Sequence, residues 1–485
     1  MSQSIPTLST KTTRRAFLTA ALGAGGLFGQ AKRRPNFIIV LVDDLGWRDW
    51  GCYGHPYHET PHLDRLAAES VKFTQAYAAC PVCSPTRASL MTGRYPARLH
   101  LTDWIAGRKQ WPTSKLLTVP FEQQLPLAET TLPELLKPLG YRSASIGKWH
   151  LGGEGFAPTE QGFDVNIGGD HRGSPPGGYF GPFNLVNLKG GTKSDLLTDR
   201  LTEEAVRFIG DTAGVPFLIY LPHYTVHTPI QAPEALTEKY RRKMASLGMD
   251  GNPTYAAMVE TLDHSIGRLR EKVQAAGLEN DTIWIVTSDN GGLRYEGKAA
   301  RPVTDNSPAR NGKGHLYEGG IRVPLLIRWP GVTRNGAETS LPVITPDLFA
   351  TVAEVAGVRP RQTLDGRSLA GLLRGGKLAE TPLFWHYPHY SNQGGTPGGA
   401  IRDGEWKLIE FYEDGRVELY HLKSDAGERL NLVNKHAAKA KQLRARLEAW
   451  RKSVNAVMPK PNPAYDPATA GQGLTGAEKP TQPVG

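Results

Sequence analysis

Asn36-Phe37-Ile38-Ile39-Val40-Leu41-Val42-Asp43-Asp44-Leu45-Gly46 joins a continuous apolar run to two adjacent carboxylates. An uninterrupted apolar run of this length is the pattern of a parallel strand covered on both faces. Such a strand cannot carry Asp43 and Asp44 inside a core, so it ends there and leaves both acids at its C-terminal edge. Three further runs repeat the pattern. Ser143–Ile146 ends in Gly147-Lys148-Trp149-His150, Phe217–Leu221 leads to His223 and then His227, and Thr282–Thr287 ends in Ser288-Asp289-Asn290-Gly291-Gly292. Thr60-Pro61 opens a helix to about Glu69, and Pro253 to Ala276 reads as a long helix with Met258, Leu262, Ile266 and Leu269 on one face. Strands alternating with helices predict an α/β fold, a large, mostly parallel sheet sandwiched by helices. Ligand sites in open sheets of this kind lie at the C-terminal strand ends.

Past about Gly375 the pattern changes. Leu383–Tyr387, Ala400–Arg402, Trp406–Phe411 and Val417–His421 are short segments separated by turn signals such as Asp403-Gly404 and Asp414-Gly415. They predict a small C-terminal antiparallel sheet, followed by a basic amphipathic helix from about His436 to Val454. The expected organisation is a catalytic domain over 32–375, an α+β subdomain over 376–457 and a disordered Pro/Gly-rich tail over 458–485.

The first 31 residues read as a leader. Thr13-Arg14-Arg15-Ala16-Phe17-Leu18 resembles a twin-arginine export signal, an Ala/Gly-rich stretch follows, and Gly29-Gln30-Ala31 offers a cleavage site. The formal charge of +10 falls to +7 once Lys11, Arg14 and Arg15 are removed. A basic surface of that size suits an anionic partner, whether nucleic acid, a sulfated glycan or nothing specific, and the scatter of the basic residues argues against nucleic acid. No stretch reaches the length of a membrane span, so no stable membrane insertion is expected after processing. Three cysteines cannot build a disulfide framework. Cys52 and Cys80 are read as small buried residues, with pairing in an oxidising compartment left open.

The third cysteine stands apart. Cys83-Ser84-Pro85-Thr86-Arg87 opens a short helical stretch closed by Gly93, which puts Cys83 at a helix N-terminus and Arg87 one turn along. Free N–H groups and the helix dipole favour an anion there. Asp43, Asp44, Asp289 and Asn290 offer hard oxygen ligands from two strand ends, a set that suits Ca²⁺ or Mg²⁺ rather than zinc. Lys148, His150, His223, His227, Lys313 and His315 add cationic or proton-transferring groups. Together these describe a site for a tetrahedral anion: a divalent ion, positive side chains and a nucleophile at a helix start.

Several segments also resemble, in family order, those of the arylsulfatase-type sulfatases of the alkaline-phosphatase-like superfamily. They are Val-Asp-Asp-Leu-Gly (42–46), Gly-Cys-Tyr-Gly (51–54), Cys-Ser-Pro-Thr-Arg (83–87), Gly-Lys-Trp-His (147–150), His-Thr-Pro (227–229), Thr-Ser-Asp-Asn-Gly (287–291), Gly-Lys-Gly (312–314) and Tyr-Glu-Gly-Gly-Ile-Arg-Val-Pro (317–324). The resemblance implies oxidation of Cys83 to formylglycine by a formylglycine-generating enzyme. A twin-arginine leader places that step before export through the twin-arginine translocase to the periplasm or the medium. It also implies metal ligation by Asp43, Asp44, Asp289, Asn290 and the modified Cys83, with Ca²⁺ ahead of Mg²⁺. Arg87 would hold the formylglycine hydrate, Lys148 and Lys313 the sulfate, and His150 and His227 would transfer protons. The expected activity is removal of sulfate from a sulfated carbohydrate. Two alternatives remain: a phosphonate monoester or phosphodiester hydrolase of the same superfamily, and a non-catalytic sulfated-glycan binder should Cys83 stay unmodified.

Overall fold

The computed structural model describes residues 1–4, 34–111, 113–212, 214–295 and 302–470, so the leader from residue 5 onward, with its twin-arginine motif, lies outside the described residues. Its central sheet contains β1 (Asn36–Val42), β2 (Val71–Tyr77), β3 (Arg142–Ile146), β4 (Val165–Ile167), β5 (Phe217–Pro222), β6 (Thr282–Ser288), β7 (Arg322–Arg328), β8 (Ala337–Thr339) and β9 (Val343–Ile344). The order is β8-β2-β7-β6-β1-β5-β3-β4, with β9 also pairing with β2. β1 lies between β5 and β6, parallel to both. Only β7 runs antiparallel, against β2 and β6, so the sheet is mixed and mostly parallel.

β1 is buried along its whole length because both of its faces are covered. Side chains alternate across a strand. Ile38, Val40 and Val42 therefore enter one core with the helices Pro61–Ala68, Leu197–Asp211 and Pro253–Ala275. Phe37, Ile39 and Leu41 enter the opposite core with the helices Cys83–Thr92 and Pro346–Ala356. These two layers fix β1 and β6 in register from Asn36↔Thr282 to Val42↔Ser288, so that Asp43 and Asp289 leave the sheet side by side.

The C-terminal meander is β10 (Leu383–Tyr387), β11 (Gly398–Asp403), β12 (Trp406–Phe411) and β13 (Val417–His421), as the turn signals predict. The same alternation splits its faces. Ile401, Leu408 and Leu419 pack on Leu443 and Leu447 of the helix Ala437–Ser453. Ala400, Ile409 and Tyr420 pack on Tyr77, Cys80 and Ile321 of the larger sheet's layer. Because the meander shares a core with the larger sheet, Pro35 onward forms one compact unit, and the boundary expected at residue 375 is a change of sheet within it.

The tail differs from expectation. Leu116 bridges Pro461, Leu117 N–H donates to Lys460 O, and Asn462 donates to Ser114 O, so the chain is ordered through Ala470. Backbone pairing with a loop carries this segment, and such pairing leaves no mark in Pro/Gly-rich composition. Cys52 and Cys80 are unpaired thiols in different clusters. Among the described residues no helix is long and apolar enough to cross a membrane.

Candidate active site

Cys83 is the first residue of the helix Cys83–Thr92, entered from an extended Val82 and closed by Gly93 at φ 72°. Pro85 falls at the third helical position rather than the first. No side chain caps the N-terminus, the end of a helix that favours an anion. The whole helix is buried. Arg87 leaves it one turn on and is fixed by three hydrogen bonds: Nε and Nη2 donate to Asp289 Oδ2 at 3.0 and 2.7 Å, and Nη1 to Lys148 O at 2.8 Å. Lys148 Nζ donates to Asp43 Oδ2 at 2.8 Å, and Lys313 Nζ to Asp44 Oδ2 at 2.8 Å. Asn290 Nδ2 donates to Asp44 Oδ1 at 2.9 Å.

Two glycines make this convergence possible. A Cβ on Gly147 would lie 2.1 Å from Pro222 O, at the turn where Lys148 N–H donates to that same carbonyl. A Cβ on Gly291 would lie 1.9 Å from Gly319 O, so the Asp289–Gly292 and Glu318–Ile321 segments interlock only without side chains. Asp44 and His150, at φ 62° and 58°, hold left-handed conformations at the strand ends.

His150 Nε2 faces the carbonyl of Ile105, an acceptor only, so that nitrogen carries the proton. Its Nδ1 then presents a lone pair 3.3 Å from Cys83 Sγ. Ile105 belongs to a loop organised by Asp103, whose Oδ1 accepts from Trp104 N–H at 2.9 Å and Tyr387 O–H at 3.1 Å. Sequence reading missed this support, because a backbone acceptor has no residue-type signature. His227 Nδ1 bonds Thr228 O, which leaves Nε2 as a lone pair 3.7 Å from Asp44 Oδ2. His223 and His315 lie outside the constellation: His223 bonds Ser265 Oγ in the core, and His315 Nδ1 bonds the Gly312 and Lys313 carbonyls.

Burial dominates the electrostatics. It pushes the Asp43 carboxyl up to about 8, even with Lys148 and Arg87 acting the other way. For Asp44, burial is outweighed by Lys313, His227 and Lys148, which hold it below the usual carboxylate range. Burial, reinforced by Lys313, takes His227 down to about 3, and burial with Lys148 keeps His150 well below its ordinary value. Both rings are therefore neutral. Burial also raises the Cys83 thiol.

A divalent cation fits this oxygen set. Asp43 Oδ1 and Asn290 Oδ1 are buried without a hydrogen-bond partner, and ligand atoms of Asp43, Asp44 and His227 lie within 4.8 Å of one another. Asn290 donates its amide to Asp44 and Gly291, which turns its oxygen into the gap. The two orphaned oxygens, one of a carboxylate and one of an amide, are the hard donors that such a cation takes.

The model of the family described as Sulfatase matches residues 35–358. The chain belongs to the sulfatase family. It is a sulfuric ester hydrolase with the alkaline-phosphatase-like fold expected from its sequence. Residues 311–453 of this sulfatase also match the N-sulphoglucosamine sulphohydrolase C-terminal family. It is 32% identical to a sulfatase of Formosa agariphila over 88% of this chain and 90% of that protein. Identity to the N-acetylgalactosamine-6-sulfatase of Homo sapiens is 35%, over 75% of this chain and 70% of that protein. The crystal structure of Ps i-CgsB in complex with k-i-k-neocarrahexaose superposes with a TM-score of 0.73 at 28% identity, covering 86% of this chain and 93% of that one.

Proposed function

We propose that this sulfatase removes sulfate from a sulfated carbohydrate, with formylglycine made from Cys83 as nucleophile and a divalent cation held by Asp43, Asp44, Asp289 and Asn290, with position 83 completing the set. Ca²⁺ is the first candidate and Mg²⁺ the second. The observation that carries this reading is the convergence on position 83 of Arg87, Lys148, His150 and Lys313 beside the partnerless oxygens of Asp43 and Asn290. The relatives named for N-acetylgalactosamine 6-sulfate and the complex with a neocarrahexaose support a carbohydrate substrate.

When bound, the cation supplies Lewis acidity and counter-charge to the sulfate oxygens. Hydrated formylglycine supplies two hydroxyls on one carbon, one to attack sulfur and one to expel the sulfate afterwards. The chain's own residues do the rest. Arg87 orients the group at position 83 while its guanidinium holds Asp289. Lys148 and Lys313 place ammonium groups for charge growing on the sulfate oxygens. Asp289 would accept the proton of the attacking hydroxyl, and His150 Nδ1 that of the second hydroxyl as the sulfate leaves and the aldehyde re-forms. His227, with Lys313, protonates the departing oxygen.

The leader Thr13-Arg14-Arg15 supports export to the periplasm or medium through the twin-arginine translocase, with a formylglycine-generating enzyme acting first. Matched aryl sulfate and aryl phosphate esters, followed by defined sulfated mono- and disaccharides that include N-acetylgalactosamine 6-sulfate, test the reading. Sulfate hydrolysis well above phosphate hydrolysis, with release from at least one sugar, is expected. A preference for phosphate or phosphonate esters would overturn it.

A further inference from the structure

The carbonyl of Ile105, which accepts the hydrogen bond of His150 Nε2–H, ends the short segment 102–105. Side chains pin that segment at three points. Ser84 Oγ, beside Cys83, accepts from Ile105 N–H at 3.1 Å. Tyr387 O–H donates to Asp103 Oδ1 at 3.1 Å. His389 Nε2 bonds Thr102 Oγ1 at 2.8 Å. The last two pins come from the C-terminal meander, one from the end of β10 and one from two residues beyond it.

His389 is built into this contact. It is 2% exposed, and Thr102 and Asp103 are buried with it. Phe121 and Tyr387 meet its ring edge-on, with centroids 5.2 and 5.6 Å away. Nδ1 faces Asp103 Oδ2 at 3.9 Å, so the ring proton sits on that side and Nε2 accepts from Thr102 O–H. Burial takes the ring down to about 3, so it stays neutral and acts by hydrogen bonding rather than by charge. Breaking such a buried bond strands both partners away from water, which ties the place of Thr102 to that of His389. The same stretch of chain also packs beside Lys313: a Cβ on Gly395 would lie 1.8 Å from Gly314 O.

The consequence falls on His150. A neutral imidazole has one proton for two nitrogens. His150 can take a proton at Nδ1, 3.3 Å from Cys83 Sγ, only while Nε2 keeps its own. The Ile105 carbonyl holds that proton on Nε2. A displaced carbonyl frees the ring to carry its proton on Nδ1, where it can no longer act as a base.

We propose that His389 is a positioning residue for His150: through Thr102 it sets the segment whose Ile105 carbonyl keeps the His150 lone pair turned to position 83. The C-terminal meander is thereby part of the catalytic apparatus. The inference rests on the role given to His150 above.

NMR of isotope-labelled histidine nitrogens in Cys83→Ala protein, with and without His389→Phe, reads the His150 tautomer directly. Its signal is identified by its absence from His150→Gln. A single Nε2–H form is expected, and its loss in His389→Phe. In active protein, His389→Phe should lower kcat on an aryl sulfate roughly tenfold with KM within about twofold. His389→Gln, which keeps a polar group for Thr102, should recover most of that loss. Adding Thr102→Val to His389→Phe should cost nothing more. An unchanged tautomer overturns the positioning role, as does a fall in turnover that merely matches lost folded protein. Should His389→Phe fail to fold, Thr102→Val removes the same bond from the loop side and is read by the same two measurements. A His150→Gln enzyme with full turnover would instead sink the role of His150 in catalysis, and the tautomer comparison would still decide whether His389 sets the ring.

Discussion

Two buried ion clusters stand at strand ends in this molecule, and they are finished differently. In the C-terminal one, Lys407 on β12 lies between Glu318 and Glu428 at 2.9 and 2.8 Å. Tyr77 O–H and the Glu318 N–H take up further carboxylate oxygens at 2.7 and 2.6 Å. That cluster is closed, and it joins the meander to the larger sheet. In the catalytic one, Asp43, Asp44 and Asp289 meet Arg87, Lys148 and Lys313, yet Asp43 Oδ1 and Asn290 Oδ1 find no hydrogen bond. Buried charge alone therefore does not mark a site. Two partnerless hard oxygens among the charges set the catalytic cluster apart, because a buried polar atom without a partner costs about 1–3 kcal/mol that a bound cation would recover.

Substitutions separate the two clusters. Cys83→Ala should abolish aryl sulfate hydrolysis, by more than roughly 10³-fold, while the thermal transition stays in place. Loss of folding together with activity would remove the distinction. Lys407→Met should do the reverse. It strands two carboxylates and costs roughly 3–5 kcal/mol in denaturant unfolding, with turnover per folded molecule unchanged. A large fall in kcat there would mean that the closed cluster also serves the chemistry.

A third substitution probes the support of the open cluster. Asp103→Asn keeps the Oδ1 acceptor for Trp104 and Tyr387 but removes a carboxyl that burial pushes up to about 7 beneath the Ile105 loop. A loss of about tenfold in kcat, with KM unchanged and an altered pH profile, is expected if the loop orients His150. Equal losses in kcat and folding stability would reduce Asp103 to loop structure.

The smallest effect concerns pH. Burial pushes Glu428 up to about 7 from 4.5. The fold thus favours its protonated form, and this contribution is full below pH 4.5 and lost as pH rises through 7. Wild type should lose stability relative to Glu428→Gln across that window, by roughly 1.4 kcal/mol per unit, and level off above it. A difference that stays flat with pH would show that Lys407 holds Glu428 ionised.

Much of this was legible in the residues. β1, β5 and β6 are continuous apolar runs, and the polar groups at their ends are the ones that converge. β2 and β7 were not picked out as strands. Lys72, Thr74 and Gln75 break the apolar pattern of β2, and Pro324 argues against a strand in β7, although Pro324 O accepts from Thr287 Oγ1 there. His223 and His315 carry catalytic-looking side chains but answer to the core and to backbone carbonyls. Ile105 does the converse, acting through a carbonyl that any residue type would present. The order in 458–470 likewise comes from backbone pairing with residues 114–117, more than 300 positions away in sequence.

Mass spectrometry of the peptide spanning Cys83, taken from fully active enzyme, tests the central claim most directly. An aldehyde in place of the thiol is predicted, present in proportion to specific activity across preparations. An intact Cys83 thiol in fully active enzyme would contradict it.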